Sequence, residues 1–177
     1  PAEELERRGL RKYPDWDPSV SSYVDWYDGA ISPHLPDGRA YYLAQLELMD
    51  AEIGALLDEL DRRGVADDTI VVYTTDNGGS TCNFGVNTPL RGTKYTVYEG
   101  GIRVPYLVRW PGGGVSGGRT FDGLVSTLDL YPTLLSAAGA SDQAYAHSDG
   151  IDQLPGLRGE PSAGHDVLHW DCGFQWA

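Results

Sequence analysis

The chain has 177 residues, 41% of them hydrophobic and 22% charged, which is ordinary for a globular protein and enough for one domain with its own core. Its formal net charge of −13 argues against a nucleic-acid or anionic-membrane partner, and no apolar run approaches the roughly 20 residues needed to cross a bilayer. The charge is uneven: from Gly78 to Phe121 five basic side chains (Arg91, Lys94, Arg103, Arg109, Arg119) stand against one acidic, Glu99, a local +4 that leaves −17 for the rest.

Residues 1–9 have a short helix pattern, with acidic residues first, arginines last and Gly9 as the stop. Residues 10–38 are poor in aliphatics and rich in Asp, Pro and aromatics (Tyr13, Trp16, Tyr23, Trp26, Tyr27) and are expected to form a long ordered loop. The aromatics pin that loop to the surface; stacking on a sugar is the alternative. The clearest helix runs over 39–63, where Tyr42, Leu46, Met49, Ile53, Leu56 and Leu60 recur at three-to-four spacing. Asp37 can cap its start, Gly64 ends it, and Gly54 inside it suggests close packing on a sheet. After a short link at 65–69, Ile70-Val71-Val72-Tyr73 reads as a buried strand over 70–74. Residues 80–101 lack a regular pattern and read as a loop, Val104 to Trp110 as a strand, and Thr127 to Ala138 as a helix capped by Ser126 or Thr127 and stopped by Gly139. Beyond 140 the chain is loop-like, with a short strand expected at Val167 to Trp170. The two cysteines, Cys82 and Cys172, sit in no CxxC pair, so thiols are expected and no disulfide is read from spacing.

The strand at 70–74 runs into Thr75-Asp76-Asn77-Gly78-Gly79. Adjacent Asp and Asn offer one charged and one neutral oxygen donor, a pairing that suits a hard cation such as Ca²⁺ or Mg²⁺. The glycines permit the turn that lets both side chains address one place, and in open α/β sheets ligands sit beyond the carboxyl ends of strands. An Asx-Gly turn with no ligand is the other reading of these residues. The basic segment that follows suggests an anionic ligand.

Taken together, these residues resemble the sulfatase family of the alkaline-phosphatase-like superfamily. The resemblance rests on Thr75-Asp76-Asn77-Gly78, on Pro89-Leu90-Arg91-Gly92-Thr93-Lys94, on Tyr98-Glu99-Gly100-Gly101-Ile102-Arg103-Val104-Pro105, and on Ser126 through Leu134, in order and spacing. It implies an α/β fold with a mixed or parallel sheet flanked by helices, present as a fragment: residues 1–140 as the C-terminal portion of the catalytic domain, and 141–177 as a linker and the start of a small subdomain. It also implies one bound divalent cation, usually Ca²⁺, with Asp76 and Asn77 as two of its ligands. Lys94 is implied to contact the sulfate of a small-molecule or saccharide ester and to stabilise charge on the leaving oxygen. Arg91 and Arg103 are expected to brace the loop, with Glu99 as a salt-bridge partner.

The family's nucleophile is a formylglycine made from the cysteine or serine of a Cys-x-Pro-x-Arg motif, whose hydrate attacks the sulfur. Neither Cys82-Asn-Phe-Gly-Val nor Cys172-Gly-Phe-Gln-Trp fits that motif, so the nucleophile and the remaining metal carboxylates are expected upstream. His34, His147, His165 and His169 receive no role. Two alternatives remain. A two-zinc phosphodiesterase or phosphatase of the same superfamily would follow the Asp with His, and Asn77 argues against it. A non-catalytic homologue that binds anions or a partner is the other.

Overall fold

The computed structural model describes residues 2–10, 15–27, 29, 36–115, 117–140, 148–162 and 164–173. His34, His147 and the link at 141–147 lie outside these. The chain divides into two compact units, Pro1–Leu56 with Asp76–Val104 and Leu57–Thr75 with Pro105–Ala177.

In the first unit α1 spans Ala2–Arg7, α2 Tyr23–Trp26, and α4 Glu99–Ile102; the long α3, Gly38–Arg62, begins here and ends in the second unit. Helix α1 carries Glu4 between Arg7 and Arg8, and the hydrogen bonds those guanidiniums donate, Arg7's first, hold the Glu4 carboxyl down at about 2. Arg8 also bonds Glu47 of α3. The first turns of α3 are its buried part, through Gly38, Tyr41 and Ala44. Gly38 lies against the Phe84 ring so closely that a Cβ would come within 2.0 Å of it, and Arg39 Nη1 donates to Phe84 O at 2.8 Å. The apolar stripe continues beyond these turns, but Leu46 (38%), Met49 (39%) and Leu56 (53%) are exposed among the described residues. Gly54 is not a packing glycine, since a Cβ there would meet nothing within 4 Å.

The second unit is built on an antiparallel pair, β1 (Val71–Thr74) and β2 (Tyr106–Arg109), with Val72 opposite Val108 and Thr74 opposite Tyr106. Directly opposed residues share a face. Ile70, Val72, Tyr106, Val108 and Trp110 therefore lie on one side, where α5 (Leu130–Ala137) and α6 (Leu154–Leu157) meet them. These side chains enclose a small apolar cavity together with Leu134, Ala137 and Leu157. On the opposite face Arg109 pairs with Asp61 at 3.3 Å.

Helix α5 starts from a capping box on a short 3₁₀ turn: the Ser126 hydroxyl accepts from Leu128 N, and Ser126 N donates to Asp129 Oδ2 at 2.9 Å. Asp129 is fully buried (0% exposed). Its carboxylate also accepts from Ile151 N (2.8 Å) and Gln153 Nε2 (3.3 Å) and meets His165 Nε2 at 2.7 Å. A buried carboxylate is tolerable only when so many donors replace water. The strand expected at Val167 to Trp170 does not form; Val167 is 61% exposed, and no strand pairs with this stretch among the described residues.

Candidate functional site

The chain leaves β1 at Thr74 and enters the first unit at Asp76. Asp76 is exposed and Asn77 half-buried. Asn77 Nδ2 donates to Gly78 O at 2.9 Å, which fixes the amide with Oδ1 as its acceptor end. The two glycines that follow are held by backbone at close range. Gly78 N donates to Gly101 O at 2.8 Å, and a Cβ at Gly78 would fall 1.8 Å from Gly100 O. Gly100 N in turn donates to Arg91 O at 2.7 Å, and a Cβ at Gly100 would lie 2.3 Å from Gly92 O. No side chain larger than hydrogen fits either place, so glycine is required here by space.

Gly79 is the joint between the Asp76-Asn77 turn and the Lys94 loop. Its carbonyl accepts from Asn87 Nδ2 (2.8 Å), Thr93 Oγ1 (2.7 Å) and Lys94 N (3.3 Å), while its N–H donates to Asn87 Oδ1 (2.9 Å). Asn87 reaches Gly92 O as well, at 3.1 Å, and Thr81 N donates to Thr93 Oγ1 at 3.1 Å. Asp76, Asn77 and Lys94 therefore project from one hydrogen-bonded loop frame. Asn87 and Thr93 are its organisers, and neither carries a sequence signal for that role beyond standing in a turn-rich stretch.

The basic segment resolves into partnered and unpartnered cations. Arg91 lies over the Tyr98 ring at 3.9 Å and donates from Nη2 to the Tyr98 hydroxyl at 3.0 Å, bracing the loop. Arg103 approaches Glu99 at 3.6 Å with both side chains mostly in water, which makes this pair worth little. Arg109 is taken by Asp61, and Arg119 donates to Arg158 O. Lys94 makes no ion pair among the described residues; its ammonium stands 5.5 Å from the Tyr95 ring centroid.

The donor set fits a hard cation in kind: a carboxylate and an amide oxygen, side by side at a strand exit. It is short in number. Among the described residues no group of three or more His, Cys, Asp or Glu could hold a metal, whereas Ca²⁺ takes six to eight oxygens. Of the two described histidines, His165 meets Asp129 at 2.7 Å and belongs to the second unit. Cys82 and Cys172 are both exposed.

A sequence model of the sulfatase family matches residues 6–140. The chain is 36% identical over 140 residues to steryl-sulfatase of Mus musculus, an alignment covering 74% of this chain and 22% of that protein. To arylsulfatase A of Homo sapiens it is 39% identical over 125 residues, with 69% and 24% covered. The chain thus spans about a quarter of the length of these relatives. In three dimensions it resembles the crystal structure of Ps i-CgsB in complex with k-i-k-neocarrahexaose, with a TM-score of 0.63, 30% identity, and 86% of this chain and 35% of that one covered. It also resembles the PsFucS1 sulfatase from Pseudoalteromonas sp., with a TM-score of 0.59, 30% identity, and 71% and 26% covered. These likenesses extend to the alkaline-phosphatase-like α/β fold; the two strands among the described residues are an antiparallel pair within it.

Proposed function

This chain belongs to the sulfatase family, and from that premise we propose that it supplies a cation-binding pair, Asp76 and Asn77, and a sulfate-contacting lysine, Lys94, to a sulfuric ester hydrolase. The observation that carries the proposal is the Gly79 carbonyl, which ties the Lys94 backbone and the Asp76-Asn77 turn into one frame. The substrate class is a sulfate monoester of a small molecule or a saccharide, in line with relatives named for steryl and aryl esters and with the carrageenan-type oligosaccharide bound to one structural neighbour.

A sulfate monoester carries one negative charge over three oxygens, and breaking its S–O bond moves charge onto the leaving oxygen. A fixed ammonium meets that charge without reorganising, which is worth most where water is excluded. Lys94 has no carboxylate to neutralise it among the described residues, so its full charge is available to the ester. Asp76 and Asn77 would hold Ca²⁺, or Mg²⁺, through a carboxylate and an amide oxygen, with further ligands from outside this pair. When bound, the cation supplies positive charge against the sulfate oxygens. The nucleophile is not provided by Cys82 or Cys172, neither of which stands in a Cys-x-Pro-x-Arg context.

The test uses the full-length protein that carries this chain. Hydrolysis of an aryl sulfate is expected, lost in the presence of a chelator and restored by Ca²⁺, with Asp76→Ala raising the Ca²⁺ concentration needed for half-maximal rate. Activity indifferent to both the chelator and Asp76→Ala would remove the cation from the proposal, and failure to turn over any sulfate ester would remove the proposal itself.

A further inference from the structure

The Lys94 loop contains a backbone conformation that its sequence does not favour. Thr96 N donates to Thr93 O at 3.1 Å, closing a four-residue turn whose two central residues are Lys94 and Tyr95. The turn is locked by Thr96 Oγ1, which donates to Thr93 O at 2.8 Å and accepts from Thr93 N at 3.2 Å. Tyr95 has φ of 78°, whereas Lys94 is not in the left-handed region. That combination marks a type II turn, in which the third position calls for glycine. A bulky side chain there is an outlier and points to a constraint other than local preference.

Packing does not supply the constraint. Tyr95 is 77% exposed, so its ring stabilises no core. The other exposed aromatics described in this unit have partners: Trp16 and Tyr23 meet edge-on at 5.5 Å, Tyr23 stacks on Tyr27 at 6.1 Å, and Tyr98 lies under the Arg91 guanidinium at 3.9 Å. Tyr95 instead presents its ring beside one group of chemical interest, the Lys94 ammonium, 5.5 Å from its centroid.

We infer that Tyr95 is a specificity-determining residue whose ring stacks on the organic part of the ester, a sugar or aryl ring, while Lys94 contacts the sulfate it carries. This rests on the sulfatase reading above. Turn geometry forces adjacent residues to fixed relative positions, so a ring at the glycine position sets where a flat substrate lies relative to the ammonium. An aromatic face suits the apolar face of a pyranose or an arene and tolerates variety in its substituents.

The experiment compares wild type, Tyr95→Gly and Tyr95→Phe in the full-length protein on an aryl sulfate and a short alkyl sulfate. Glycine fits φ of 78° better than tyrosine, so Tyr95→Gly is expected to keep or raise Tm. It is expected to lower kcat/KM for the aryl ester about tenfold, mainly through KM, with a far smaller loss on the alkyl ester. Tyr95→Phe retains the ring and is expected to behave as wild type. Equal losses on both esters, no loss on either, or a fall in Tm with Tyr95→Gly overturns the assignment. If wild type hydrolyses neither ester, the sulfatase reading fails, and calorimetric binding of the aryl sulfate decides Tyr95 separately. Binding weakened about tenfold by Tyr95→Gly supports it; binding unchanged in that variant, or absent in wild type, overturns it.

Discussion

The two units hold themselves together by different means. In the first, the segment from Gly78 to Gly101 is fixed by backbone groups at close range, glycine against glycine, with Asn87 and Thr93 bridging through the Gly79 carbonyl. Its chemically interesting side chains, Asp76, Lys94 and Tyr95, extend from that frame and contribute little to it. In the second, an apolar layer between the β1–β2 face and helices α5 and α6 is joined to a buried carboxylate, Asp129, that collects donors from three separate stretches. A frame of main-chain hydrogen bonds can position exposed polar groups because its geometry does not depend on what those groups are. A side-chain core cannot, since each of its members is also part of the packing. Function and stability should therefore separate by unit.

That separation can be broken most decisively at Lys94. In the full-length protein, if it hydrolyses sulfate esters as proposed, Lys94→Ala is expected to lower kcat by about 10²–10³-fold, the usual cost of removing one charge-stabilising group, with an unchanged unfolding midpoint. A near-normal rate would take Lys94 out of the mechanism, and a large loss of stability would contradict the proposed division. Asp129→Ala is the mirror experiment. It orphans the N–H groups of Ser126 and Ile151 and the Gln153 amide, and is expected to cost about 3 kcal/mol in denaturant unfolding while the rate per folded molecule stays near wild type. Gly78→Ala should show a place where the two properties cannot separate, because the new Cβ would strike Gly100 O, a backbone atom unable to turn aside. Both stability, by about 1–3 kcal/mol, and activity are expected to fall.

The smallest effect concerns pH. Burial raises the ionisation of the Tyr106 hydroxyl above its ordinary 10.0, and the nearby Asp129 charge adds to the shift. The folded state then keeps its proton where the unfolded chain has lost it, so the stability from Tyr106 is complete below pH 10 and declines as pH rises through 10 toward the folded value. Melting temperatures measured from about pH 8 to 11 should fall less steeply in Tyr106→Phe than in wild type. Parallel curves would show that this hydroxyl is not linked to folding.

Several features were legible in the residues alone. The helix expected over 39–63 is Gly38–Arg62, and the strand expected over 70–74 is Val71–Thr74. Gly9, Gly64 and Gly139, expected as helix stops, all have positive φ, and Ser126 caps its turn. These depend on periodicity, capping and backbone freedom, which act within a few residues. The short helices at Tyr23–Trp26, Glu99–Ile102 and Leu154–Leu157 gave no such signal, being too brief for a period to show. Gly54 misled, since a helical glycine marks close packing only if a neighbour approaches, and none does. Val167 to Trp170 has a strand-like pattern but finds no partner strand among the described residues.

From its order of residues this chain declares a family, an α/β arrangement and a set of chemically apt side chains, because motif spacing and local propensity are written along the chain. Tertiary structure alone decided that Gly79 joins the Asp76-Asn77 turn to Lys94, that Tyr95 stands at a glycine position, and that Asp129 gathers Ile151 and His165 from 22 and 36 residues away. The reason is that a buried acceptor or a crowded glycine is defined by whichever groups folding brings to it, and no short-range rule specifies those groups.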